Sequence, residues 1–166
     1  MLGTLTTVSG APEVLEADWN GLGPVVARMD ELADRQAGWV NLQPGIDPED
    51  APPASPGLFG VFSGRGPIVP VATWTAPAAR RRGPPEAEQV GIQHPAGGRA
   101  AAVLAEGGLP VPEGWRVLQD HPRRGLVVAV PAGTRHEAVL DWLLRATARL
   151  SAVPVTGRWR ATVHRG

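Results

Sequence analysis

Two short stretches, HPAGG at 94–98 and HPRRG at 121–125, hold two of the four histidines in this 166-residue chain. Arg99 follows the first, and Arg123 and Arg124 lie inside the second. Imidazole and guanidinium groups in one place suit two kinds of chemistry. A histidine can relay protons near neutral pH, and arginine forks can grip a phosphate or carboxylate. The same pentapeptides also have a conformational reading: Pro presets φ for a turn, and Gly supplies the left-handed residue that a tight loop needs. Turn formation is the first expectation for both.

The other residue types narrow the chemistry. The chain contains no Cys, Lys or Tyr, and all 16 of its basic residues are Arg. Disulfides, thiolate metal sites, Schiff bases and a P-loop lysine are therefore excluded. Ser9, Ser55, Ser63 and Ser151 lie in turn-like or terminal contexts without a nucleophile-elbow glycine pattern. Closely spaced metal ligands are not evident, and neither metal nor cofactor is expected. Isoleucine occurs only at 46, 68 and 92, and asparagine only at 20 and 41. With abundant Ala, Gly, Pro and Arg, this composition suits a high-GC bacterial genome. The first ten residues lack the charge and apolar run of a signal peptide, and no stretch approaches a membrane span, so the expected location is cytoplasmic.

Formal net charge is zero but unevenly spread. Residues 1–58 carry two Arg and nine carboxylates, whereas residues 115–166 carry nine Arg and three carboxylates. The two ends of the chain are expected to lie together and neutralise each other, which ranks above a basic tail that grips nucleic acid.

Stepping along the chain, 23–38 reads as a helix with Pro24 in its first turn and Gly38 as its stop. WVNLQ (39–43) follows as a strand. The Pro-rich acidic loop 44–57 precedes a hairpin of 58–62 and 68–74, after which comes the arginine loop 76–88. Both loops are expected to leave the same end of that hairpin. The last third is clearer: strand 90–94, helix 97–108, strands 115–121 and 125–131, helix 134–150 and strand 158–165. Thr134 and Glu137 have the spacing of a capping box. The expected organisation is an N-terminal α+β half (1–76), an Arg/Pro-rich connector (77–88) and a C-terminal half (89–166). Strand-helix-strand-strand-helix-strand resembles the ferredoxin-like plait, so the fold class is α+β, a plait packed on a helix-plus-hairpin half.

In a plait, one edge collects the exit of the first strand, the start of the first helix, the turn between the second and third strands and the start of the fourth strand. His94, Arg99, His121, Arg123, Arg124 and Arg158 would gather there, with the two histidines about 10 Å apart across one intervening strand. A helix N-terminus at the same edge favours anions. Of the remaining candidates, His136 is expected in solvent, His164 on a polar strand face, and Trp142 partly exposed. Asp120 and His121 point to opposite faces and should not pair.

GIQHPAGGR (91–99) is similar to the glycine-rich anion loop of the acylphosphatases, and GWRVLQDHPRRGLVVAV (114–130) resembles that family's Gly-Trp and following hairpin. The resemblance implies a plait and an anion loop ending at Arg99. The loop is one residue longer than the family's, and Leu118 stands where the family carries its catalytic Asn. RGLVVAV (124–130) also has the outline of an RNA-recognition strand, but Leu126 and Val128 replace the aromatic rings that would stack bases.

The open face of the plait should carry Arg116, Leu118, Asp120, Val127, Ala129, Arg158, Arg160 and Thr162, and is expected to be covered by the N-terminal half or a second subunit. Three functions follow in order. The first is a non-catalytic module that binds a small molecule or anion at the Arg/His edge. The second is a protein-interaction or homodimerisation domain using the open face and the Pro-rich loops. The third is an acylphosphatase-like hydrolase. Nucleic acid and membrane are not the expected partners.

Overall fold

The computed structural model describes residues 11–53 and 66–166. The expected strand 58–62 lies outside the described residues. The elements are β1 (Glu13–Asp18), α1 (Gly23–Arg35), β2 (Trp39–Pro44), β3 (Val71–Thr75), β4 (Gln89–Gln93), α2 (Ala100–Glu106), β5 (Arg116–His121), β6 (Gly125–Ala129), α3 (His136–Arg149) and β7 (Arg158–His164). No helix among the described residues is long and apolar enough to cross a membrane.

The seven strands form one sheet in the order β1-β7-β2-β3-β4-β6-β5, with every neighbour antiparallel. The mixed α and β character agrees with expectation, but the sheet is larger than a plait. Within the C-terminal half, β4, β6 and β5 are neighbours as a plait requires. The departure is β7, which does not lie beside β4 but runs between β1 and β2. The place next to β4 belongs to β3. Each end of the sheet is thus a pair of parallel strands joined by a helix and split by an antiparallel strand: β1-α1-β2 around β7, and β4-α2-β5 around β6. β1 carries little local strand signal, because EVLEAD spans only six positions, three of them acids, and the adjacent Val14 and Leu15 break the alternation.

Cross-strand register puts Val40, Leu42, Ala72, Trp74, Val90, Ile92, Leu126, Val128, Trp159, Ala161 and Val163 on one face. They join the apolar stripes of α1, α2 and α3 in a single core. Trp142 departs from expectation: it is only 6% exposed. Its ring meets Trp115 edge-on at 5.3 Å, and its Nε1 donates to the Pro110 carbonyl. A Trp buried this way keeps its polar atom satisfied. The capping box does not form, because Thr134 Oγ1 donates to the Pro131 carbonyl instead.

The charge asymmetry resolves as neutralisation between the chain's ends. Arg160 on β7 pairs with Glu16 on β1 at 3.0 Å. Arg165 reaches Glu13 at 2.6 Å and Glu31 at 3.1 Å, and Arg28 also holds Glu13. The two arginine hydrogen bonds push the Glu13 carboxyl down to about 2. The two Pro-rich loops, by contrast, leave opposite ends of the sheet, since β2 and β3 run antiparallel.

Gly125 closes the β5–β6 hairpin with φ +79°, and a Cβ there would run into the Ile92 carbonyl oxygen of β4. Both constraints oppose any side chain. Gly125→Ala is expected to lower the unfolding free energy by about 2 kcal/mol or more, measured by urea denaturation.

Candidate functional site

The two HPxxG corners do come together, with the position a Gly98 Cβ would take lying 3.6 Å from Pro122 Cδ. They also share a device. His94 Nδ1 accepts from the Ala96 N–H at 3.2 Å, and His121 Nδ1 accepts from Arg123 N–H at 3.1 Å and Arg124 N–H at 3.3 Å. Each imidazole thus acts as the local acceptor of its own turn, as Asn or Asp does in an Asx-turn.

The anion expected at the start of α2 is supplied by the protein. Asp120 Oδ1 accepts from Ala100 N–H at 2.9 Å and Asp120 Oδ2 from Ala101 N–H at 3.0 Å. Arg99, at the N-cap, adopts a left-handed conformation with φ 70° and offers no side-chain cap, so the carboxylate arrives from β5. Asp120 and His121 point apart, as strand alternation predicts. His94 is fully buried, and burial pushes its pKa down against the pull of the Asp120 charge. Its Nδ1 is an acceptor, so its proton sits on Nε2, which is buried without a partner among the described residues. Such an orphan donor costs about 1–3 kcal/mol.

Arg158 does not join this corner. β2 and β3 lie between β7 and β4, a separation of about 14 Å. Arg158 instead borders Glu16, Ala17, Asp18 and Gly21.

His136 is not in solvent either. Its side chain is 12% exposed, with Nδ1 2.6 Å from Asp30 of α1 and Nε2 3.5 Å from the buried Glu88. Glu88 also accepts from Trp74 Nε1. Contact with Glu88, followed by Asp30, raises the His136 pKa to about 9 despite burial. Both ring nitrogens are occupied, so this imidazolium ties α3 to α1 and to the start of β4. On the opposite side of the molecule, the exposed turn after β2 brings carboxylate oxygens of Asp47, Glu49 and Asp50 within 4.8 Å of one another.

The most distinctive surface is the sheet face turned away from the helices. No described helix or strand covers it, because the N-terminal half extends the sheet instead of packing across it. Register aligns Thr162, Asn41, Thr73, Gly91, Val127 and Gln119 in one row across β7, β2, β3, β4, β6 and β5. Thr73 Oγ1 donates to Asn41 Oδ1 at 2.9 Å, and Asn41 Nδ2 reaches His164 Nε2 at 3.3 Å. Asn41 thus links Thr73 to the imidazole across three strands. His164, on the polar face as expected, stacks on Trp39 with centroids 4.8 Å apart and planes inclined by 11°.

Over Gly91 the row sinks into a depression of about 310 Å³, lined by Asn41, Val71, Thr73, Gln93, Arg124 and Val127 among others. Gly91 has no structural need to be glycine among the described residues. A Cβ would meet only Leu126 O at 3.8 Å and Val127 Cγ2 at 4.0 Å, both ordinary contacts. Arg124, one of the sequence-predicted residues, stands at the mouth. His121 and Gln119 fix its backbone, the latter donating to the Arg124 carbonyl at 3.0 Å. Arg124 forms no ion pair among the described residues, and no acid lines the depression. Asn41, Thr73, Gly91 and Gln93 were missed in the sequence, although QVGIQ alternates polar or small residues with apolar ones.

No protein-family model, curated protein or solved structure matches the chain.

Two predictions follow from the buried histidines. For His136, with a raised folded pKa, stabilisation is complete below pH 6.5, falls as pH rises through about 9, and amounts to about 3 kcal/mol at most. His94, with a lowered folded pKa, withdraws stability as pH falls below 6.5, where the unfolded histidine takes up a proton. Urea denaturation across pH should therefore show a maximum near 6.5, with His136→Gln flattening the alkaline limb. Asp120→Asn should cost about 1–2 kcal/mol through the lost cap, read by the same assay.

Proposed function

We propose that this protein is a non-catalytic binding module that takes a small anionic ligand on the sheet face turned away from its helices, in the depression over Gly91. Gly91 carries this reading. Glycine in a strand interior forgoes packing and costs conformational entropy, and the surroundings of Gly91 would accept a Cβ. A central strand that keeps glycine there leaves room for something else to approach. The lining selects what approaches: amide and hydroxyl groups offer donors and acceptors, Arg124 offers a positive fork on a backbone that His121 and Gln119 hold, and no carboxylate opposes an anion. This keeps the anion-binding expectation but moves it from the helix start, where Asp120 already sits, to the neighbouring sheet face.

The open edge of β5 favours self-association as a second reading. Val117 and Leu118 are 42% and 43% exposed there. The bulge between Val117 and Gln119 interrupts the ladder that a partner strand would extend, which ranks this reading second.

The ligand reading is tested by chemical-shift titration with inorganic phosphate, citrate and a sugar phosphate. Shifts should cluster on Thr73, Gly91, Gln93 and Val127, and Arg124→Ala should weaken binding about tenfold, as expected for a hydrogen bond to a charged group. Gly91→Val should leave stability unchanged or raise it by up to about 1 kcal/mol while blocking the depression. Shifts confined to Arg99 and Ala100 would return the site to the helix start, and concentration-dependent dimerisation without shifts would favour the β5 reading.

A further inference from the structure

We infer that the anion taken in the depression over Gly91 is a backbone phosphate of a single-stranded nucleic acid, held by Arg124, with the Trp39–His164 stack holding a base. This rests on the sheet face being the binding surface, and adds the class of ligand from three observations independent of Gly91.

The first is charge. The chain has 16 acids, yet β7, β2, β3, β4 and β6 contain none. On β5 the one acid, Asp120, faces α2. The outward side of six adjacent strands is therefore free of carboxylates, with Arg116 and Arg124 at its far border. Among the described strands, acids on the outward side stand only on β1, where Arg160 holds Glu16 and Asp18 lies opposite Arg158 in the register.

The second is hydrogen-bonding character. The chain has five glutamines, and Gln43, Gln89, Gln93 and Gln119 all fall on this face by register, joined by Asn41, one of only two asparagines. Side-chain amides carry a donor and an acceptor together, which matches the edges of unpaired bases.

The third is Trp39. It is 39% exposed although its neighbours Val40 and Leu42 on the other face are buried, and His164 braces its ring from one side. A rigid, half-open indole is a stacking platform. From Trp39, two strands lie between β2 and β6, and Gln93, in the row next to Arg124, is two rows beyond Gln89, the residue in the Trp39 row. The distance from the platform to Arg124 is thus about 19 Å on strand spacing and rise. One mononucleotide cannot bridge that, but a strand near the short end of known single-strand sites, about four nucleotides, can.

The test is fluorescence anisotropy with end-labelled dT and rU 12-mers, a DNA duplex and a heparin fragment, at several salt concentrations. Single strands should bind at least tenfold tighter than duplex, with affinity falling as salt rises. Trp39→Ala should weaken binding about tenfold, in line with one lost stacking contact. Gln89→Glu with Gln93→Glu, two solvent-facing changes that leave the core intact, should weaken it by a similar factor. Heparin binding as tightly as the oligonucleotides, with no response to Trp39→Ala, would overturn the inference. So would oligonucleotides that bind no tighter than phosphate, although the Gly91 site for small anions would then stand. Absence of both small-anion and oligonucleotide binding would remove both readings.

Discussion

The insertion of β7 between β1 and β2 organises the molecule. Without it, the N-terminal half has no ladder for β1, and Glu16 loses the arginine that faces it. With it, six cross-strand positions on each side are paired, Trp159 enters the core, and the two halves share one sheet. All three helices pack on one face of that sheet. The contiguous core claims that side, and the other is left as a broad outward surface. A plait closed on itself in the C-terminal half would have given a narrower sheet and a separate N-terminal unit, with no common surface across them.

Much of the local structure was legible in the sequence. The helices and most strands fall near their expected positions because apolar periodicity and Gly/Pro punctuation are local signals. The HPxxG corners were legible as turns for the same reason, and even their contact with each other was foreseen. What the corners do was not, because the acceptor is the imidazole itself, and His is not a usual turn acceptor. The site at the start of α2 failed for a related reason. Asp120 is far from Ala100 in sequence, and only the β5–α2 packing shows that the protein's own carboxylate satisfies those amides. His136 was misjudged similarly: both carboxylates that hold it come from other elements.

Long-range pairing was the least legible part. Nothing local in RWRATVH indicates whether it lies beside β4 or between β1 and β2, since its alternation fits either place. Once the register is known, features that seemed incidental become one pattern. Asn41, Thr73, Gly91 and the glutamines of QVGIQ lie in strands distant along the chain, yet fall in neighbouring rows. Their coherence exists only in the assembled sheet.

The position of β7 also bears on how the molecule is made. Contacts between residues near 15 and near 160 span a long stretch of chain, and such topologies fold slowly because loop closure precedes any reward. During synthesis β1 and β2 emerge before the strand that must separate them, which follows every other described element. Until it arrives, their unpaired edges are open to the wrong neighbours. Glu16, which Arg160 of β7 later pairs, sets a charge on that nascent edge, and a charged edge opposes pairing with another chain.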